Sequence, residues 1–367
     1  MRMIRSIPPA RRTTVLAGVA GLALVATACS TGGGEPTTQE AADGDAPTEV
    51  VVVTHGSWNV PDEVMAAFTE QTGFEARVEP AGDAGELTNK LVLTKNSPLG
   101  DVVFGIDNTF ASRAVEEGVI AEHTPGELPE GADEYALEDT DAAARLTPID
   151  HGDVCVNVDD VWFADNDLEP PTTLDDLLEP AYEGLFVTPG ATTSSPGLAF
   201  VLATIAEHGE DGWEDYWTEL MANGAKLTSG WTDAYTVDFT AGGGDGDRPI
   251  VLSYASSPPF TIPEDGDEPT TSALLDTCFR QVEYAGVLEG AENPEGAAAF
   301  VDFMVGEEFQ EALPENMYVF PVSDEVELPE AWAEHAEVAE DPYVVDPAAI
   351  AENRDEWLRT WGDVTTR

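Results

Sequence analysis

Basic side chains are scarce in this chain: 15 lysines and arginines stand against 72 aspartates and glutamates in 367 residues. So negative a molecule repels a polyanion, which excludes nucleic acid as a partner. Histidines number 5 and are scattered singly, and cysteines number 3. Catalytic signatures are missing as well. There is no Gly-x-Ser-x-Gly elbow, no Ser-x-x-Lys, no His-Glu-x-x-His zinc helix, no Walker loop and no Gly-x-Gly-x-x-Gly between a strand and a helix. An enzyme reading therefore has no motif to rest on, no cofactor is implied, and no internal repeat is apparent.

Positive charge is concentrated at the start. Arg2, Arg5, Arg11 and Arg12 precede an apolar run, Val15 to Ala26, that closes on Ala26-Thr27-Ala28-Cys29. This is the pattern of a signal peptide over 1–28, too short and wrongly flanked for a membrane span. A cysteine directly after small residues predicts lipidation of Cys29, and a cleaved leader with an unmodified cysteine is the competing reading. The stretch that follows, to Pro47, has almost no large apolar side chain, so 29–47 is expected to be a flexible tether. Without the leader arginines the balance is 11 basic residues against 72 acidic, or −61. Self-repulsion of that size is screened at about 1 M salt, where the Debye length is roughly 3 Å, so a salty habitat is the simplest account. Cys155 and Cys278 remain, in a chain expected outside the cell. A disulfide and two separate buried thiols are both open, because the sequence does not give their separation.

From residue 48 the pattern alternates. Strands are expected at Glu49–Thr54, Phe74–Glu79 and Asp101–Gly105, and helices from Pro61-Asp62 to Thr72, Glu86–Thr94 and Asn108–Gly118. A second set follows with strands at Val154–Val158, Leu185–Thr188, Ile250–Ala255 and Gln281–Ala285, the last two read as crossings back to the first set. A helix opens at Ser195-Pro196, and another places Trp213, Tyr216, Trp217, Leu220 and Met221 on one face, a packing stripe. Asp346-Pro347 starts a final amphipathic helix. The fold class is α/β, with doubly wound sheets flanked by helices. Acidic stretches at Pro125–Asp141, Ala241–Pro249 and Pro263–Pro269 read as surface loops, and the glycine-aspartate run in the second lacks the ligand spacing of a calcium loop.

In such sheets ligands sit beyond the carboxyl ends of the strands. The loops there share aromatic faces and small polar groups: His55, Ser57 and Trp58; Asp107 and Asn108; Ser194 and Ser195; Trp231 and Tyr235; Tyr254, Ser256 and Ser257. Together they suit a flat, positively charged heterocycle. A cation over an aromatic face gains about 0.5–2 kcal/mol, and a carboxylate nearby adds to it. Ser194 and Ser195 at a helix start offer hydroxyls and free N–H groups to a ligand's tail, though ordinary helix capping accounts for the same residues. His55 and His151 with Asp107, Asp150 or Asp153 would make a metal receptor if their loops converged, which is the alternative to an organic ligand.

Read together, Thr54-His-Gly-Ser57, Gly105-Ile-Asp-Asn108, Asp150-His-Gly152, Thr193-Ser-Ser-Pro-Gly197, Gly230-Trp-Thr-Asp-Ala-Tyr235 and Val251-Leu-Ser-Tyr-Ala-Ser-Ser-Pro258 resemble, in order and spacing, the periplasmic thiamine-binding proteins of ABC importers. The similarity covers most of 48–365. It implies a two-lobed, type II periplasmic-binding fold, with lobe 1 built from 48–149 plus about 281–345, lobe 2 from 150–280, and a C-terminal helix over 346–367. Together with the leader and Cys29, the expectation is an extracytoplasmic lipoprotein on the outer face of the membrane, and a monomer. This protein would capture thiamine or its phosphates for a permease and its ATPase, and would catalyse nothing. By position, Trp231, Tyr254 and Tyr318 would surround the rings, Asp107 or Asp150 would meet the positive charge or the aminopyrimidine, and Ser194 would hold the hydroxyl or phosphate end. His55 and Phe260 stand where the family commonly has tyrosine, and Tyr318 where it has tryptophan. The runner-up within the same fold is a ferric-type receptor, ahead of a secreted enzyme. Lys226 and Arg248 are the only basic neighbours in sequence, which favours free thiamine over its phosphates.

Overall fold

A computed structural model describes residues 48–366. The leader, Cys29 and the tether lie outside the described residues. The first set of elements is β1 (Glu49–Thr54), α1 (Asp62–Thr72), β2 (Glu75–Pro80), α2 (Ala84–Leu93), β3 (Val102–Asp107) and α3 (Ala111–Glu116). β1 owes its burial to Val50, Val52 and Val53, branched side chains that fit a strand covered on both faces. α1 ends where Gly73 takes a left-handed conformation, φ 80°. After α4 (Thr140–Ala143) comes β4 (Thr147–Asp159), then α5 (Asp160–Asp165), β5 (Phe186–Pro189), α6 (Ser195–His208), α7 (Trp213–Ala222), β6 (Lys226–Thr228), β7 (Ile250–Tyr254) and β8 (Thr271–Ala273). The chain closes with β9 (Phe279–Val287), α8 (Pro294–Met304), α9 (Glu307–Met317), β10 (Phe320–Pro321), α10 (Glu330–His335) and α11 (Pro347–Thr365).

The strands form one continuous sheet in the order β2-β1-β3-β9-β4-β7-β5-β6, with β8 and β10 also paired to β4. β1 runs parallel to β2 and β3, and β5 runs parallel to β6 and β7. Between these parallel sets stand β9 and β4, antiparallel to each other and to the strands they adjoin. The expected lobe boundaries at 150 and 281 thus fall inside two strands that both sets share. α6 packs against β4, β5, β7 and β9, and α8 against β1, β3 and β9. All of α6 from Ser195 to Ile205 is buried, which its small and apolar residues permit. Trp213, Tyr216, Trp217 and Leu220 lie in the core as the helical stripe predicts, Trp217 edge-on to Trp361 of α11 at 5.6 Å.

Three of the boundary differences from expectation have an identifiable cause. α2 begins at Ala84, because Asp83 caps it and accepts from Ala84 N at 2.7 Å. α3 begins only at Ala111, since Asp107 turns its carboxylate onto the N–H groups of Thr109 and Phe110 and holds Asn108–Phe110 in a turn. β4 is far longer than Val154–Val158, because its polar first half pairs with β9 from Thr147 onward, and Arg280 grips Asp153 with two nitrogens. Cys155 and Cys278 are joined in a disulfide, S–S 1.97 Å, that ties β4 to the start of β9 across 123 residues. Among the described residues no helix is long and apolar enough to cross a membrane.

Candidate functional site

A cavity of about 270 Å³ opens where the carboxyl ends of both parallel sets converge on β9. Its wall is built from His55, Gly56 and Ser57 after β1, Asp83 after β2, Ser195 at the start of α6, Trp231 and Thr232 after β6, Tyr254 and Ser257 at the end of β7, and Tyr318 after α9. Gln281 and Glu283 of β9 form the floor. A second hollow of about 430 Å³ adjoins it, shares Ser57, Trp231, Ser257 and Tyr318, and adds Trp58, Tyr235 and Phe260. Sites for small organic ligands commonly measure about 300–1,000 Å³, which these joined spaces match.

The aromatic wall is held from behind. Tyr235 stacks on Trp231 with centroids 5.0 Å apart and planes 16° apart, and the indole Nε1 donates to Ser253 Oγ at 3.0 Å. Tyr254 donates its hydroxyl to Gln281 Oε1 at 3.2 Å. Tyr318, at left-handed φ 57° beyond α9, is pinned by Ser256 Oγ donating to its carbonyl at 2.7 Å, and Phe260 meets its ring edge-on at 5.2 Å. The indole and phenol rings are thereby fixed without a ligand, so little ordering cost remains for binding.

Acidic groups make up the rest. Asp83 reaches across the cavity, its Oδ2 accepting from Trp231 N at 2.9 Å and its Oδ1 from Ser195 N at 3.4 Å. Gly230 leaves room for this, since a Cβ there would come within 2.8 Å of the Asp83 carboxylate. His55 lies over Gly105, whose φ of 100° and missing side chain let the imidazole come so close that a Cβ would meet it at 2.3 Å. Burial lowers His55 to about 4, against the pull of Asp83, so the ring is neutral at pH 7. Its Nδ1 accepts from Ser57 N at 3.2 Å, which puts the proton on Nε2, 3.8 Å from Glu283 Oε1. Burial raises Glu283 to about 7. No lysine or arginine lines either hollow. Lys226 is engaged with Asp238 at 2.6 Å, and Arg248 donates to the carbonyls of Gly184 and Gly224.

Of the residues singled out from sequence, His55, Ser57, Trp58, Ser195, Trp231, Tyr235, Tyr254, Phe260 and Tyr318 line these spaces. Five others stand elsewhere. Asp107 is wholly buried behind Ser195, whose Oγ donates to it, and burial raises it to about 7. Asn108 stitches β3 to β9 through Val282 N and the carbonyl of Arg280. Asp150 lies beneath Glu283, its register partner across β4 and β9. His151, its neighbour on β4, points to the opposite face as strand geometry requires, and stacks between Tyr135 and Phe320 at 4.3 and 5.4 Å. Ser194 is buried as the cap of α6, accepting from Gly197 N. The histidines therefore do not converge, and no group of three or more His, Cys, Asp or Glu among the described residues is placed to hold a metal ion. Asp83, Gln281 and Glu283 escaped the sequence reading. Asp83 was open to discovery as the residue just past the end of a parallel strand, and Glu283 as a lone charge between Val282 and Tyr284.

The chain is similar to known binding proteins. The relatives include the thiamine-binding periplasmic protein of Escherichia coli (strain K12), 28% identical over 311 residues that cover 84% of this chain and 90% of that protein. Iron uptake protein A1 of Synechocystis sp. is 22% identical, over 81% of this chain and 82% of its own length. A solved periplasmic thiamin binding protein, 26% identical, superposes with a TM-score of 0.74 over 87% of this chain and 96% of its own. The fold is the type II periplasmic-binding one. The model of the bacterial extracellular solute-binding proteins matches residues 63–340. With three quarters of its length inside that match, the chain belongs to the bacterial extracellular solute-binding protein family.

Proposed function

We propose that this protein captures thiamine outside the cell membrane and delivers it to an ABC permease driven by an ATPase. One observation carries the reading: Trp231, Tyr254 and Tyr318 face a space whose charged lining groups are all acidic, among them Asp83 and Glu283. Such a site rewards a flat cation twice, through the ring quadrupoles and through the carboxylates, and offers an anion nothing. Free thiamine is accordingly the ligand, ahead of its phosphates, which would need a cationic partner at their anionic end. The likeness to thiamine-binding relatives supports the same choice. Two lobes hinged on β4 and β9 would close around the ligand, Asp83 latching one side to the other, and a lipid on Cys29 would hold the monomer at the outer face of the membrane.

Isothermal titration of the full chain with thiamine, thiamine monophosphate, thiamine diphosphate and ferric ion tests the assignment. Thiamine is expected to bind with micromolar or tighter affinity, the phosphates more weakly, and ferric ion not at all. Folded protein that takes up iron and ignores every form of thiamine would reverse the choice.

A further inference from the structure

Beneath the cavity lies an arrangement that aromatic recognition does not require. Asp150 on β4 and Glu283 on β9 are register partners, both buried, and Glu283 alone of the two reaches the cavity. Neither oxygen of Asp150 receives an N–H or O–H from any other described residue. What Asp150 faces is the Glu283 carboxyl, and two carboxylates in so dry a contact do not both ionise without a counter-charge. The surroundings supply none. From the turn after β1 comes His55, neutral; from the start of α2, Asp83; from the end of β3, Asp107; from β7, the phenol of Tyr254. On the far face of β4, His151 is neutral and Arg280 is committed to Asp153. Lys90, which pairs with Glu86 of the cavity wall, is spent on that carboxylate and on the carbonyl of Ala81.

We infer that the Asp150–Glu283 pair is a proton-exchanging counter-ion, holding one proton between its carboxyls when no cation is bound and releasing it to solvent when a ligand cation settles over Glu283. The exchange balances: the pair passes from one negative charge to two, the ligand brings one positive charge, and one proton leaves to buffer. Asp150 never touches the ligand and acts as a positioning residue, setting the charge that Glu283 presents. Burial raises Glu283 to about 7 and Asp150 above the ordinary carboxylate range, so near neutral pH the proton competes with the ligand. Affinity then falls as pH drops through about 7, by up to tenfold per pH unit for one proton, and levels off above it. Selection against neutral analogues follows, because a neutral ring cannot displace the proton.

This inference rests on the thiamine reading, and one experiment separates the two. Thiamine is titrated into the full chain in buffers of equal pH and different ionisation enthalpy, between pH 6 and 8. The heat should vary linearly with buffer enthalpy, with a slope near one proton released at the acid end that shrinks above pH 7. Asp150→Asn, an isosteric change that offers Glu283 a hydrogen-bond donor, should shift both the slope and its pH midpoint, whereas Asp107→Asn should leave both in place. Infrared difference spectra of the unaltered protein supply a readout independent of any variant: the band of a protonated carboxyl should vanish on adding thiamine. Heat that is the same in every buffer, or release that is unshifted in Asp150→Asn and shifted in Asp107→Asn, overturns the inference and leaves thiamine binding intact. No heat in any buffer removes both.

Discussion

Two groups of aromatic residues in this molecule do opposite work. Trp213, Tyr216 and Trp217 sit on α7 at helical spacing, and the polar atoms of the last two are answered inside the core: Trp217 Nε1 donates to Thr204 at 3.0 Å and Tyr216 to the carbonyl of Leu174 at 2.9 Å. Trp231, Tyr254 and Tyr318 come from three separate strand or helix ends, and each is braced on one side and open on the other. A ring clasped on both faces contributes to stability alone, whereas a ring braced on one face is a binding surface. The protein applies the same distinction to its carboxylates. Asp153 is buried and answered by Arg280, while Asp150, equally buried beside Glu283, receives no donor from the described residues.

Substituting one tryptophan from each group breaks the comparison most directly. Trp217→Ala should destabilise the fold by about 3–5 kcal/mol, since a fully buried indole leaves a cavity and its donor to Thr204 Oγ1 is lost. Chemical denaturation measures this, and thiamine affinity of the folded fraction should be unchanged. Trp231→Ala should do the reverse. Loss of the ring costs about 0.5–2 kcal/mol of binding, roughly twofold to thirtyfold in affinity, with a change in folding free energy of about 1 kcal/mol or less. Equal affinity in Trp231→Ala, measured by titration, would move this residue into the packing group.

The alternation of strand and helix was legible from β1 to α3 and in the longer apolar elements after it, because valine-rich runs such as Val50–Val53 and stripes such as Trp213 to Leu220 carry their burial in their spacing. β4 was legible only at its apolar end. Its first half reads Thr-Pro-Ile-Asp-His-Gly-Asp, and the partners that make those polar residues tolerable, Glu283 and Arg280, lie more than a hundred positions away. The same limit governs the site. Residues at strand ends declare themselves by position, which is why His55, Trp231 and Tyr254 could be picked out. Asp107 and Asp150 share that kind of position and still end up behind the wall, since whether a carboxylate faces solvent or a neighbouring strand depends on register and bulges. The irregularities at Phe104/Ile106 and Pro148/Asp150 are features of pairing, not of local sequence.

Ser194 offers the finest test of where cleft ends and core begins. Its position at a helix start beside Ser195 suits it to hold a ligand's hydroxyl or phosphate, yet it lies buried with its Oγ turned onto Gly197 N at 3.5 Å, a long capping bond. Ser195, one residue on, lines the cavity and spends its own hydroxyl on Asp107. If capping is the whole of its role, Ser194→Ala costs the helix one answered N–H, about 0.5–1 kcal/mol at that length, and leaves thiamine affinity where it was. If the side chain swings to the ligand on closure, affinity falls while stability holds. Paired denaturation and titration of the one variant separate these outcomes, because the two roles draw on the same oxygen and it cannot serve both at once.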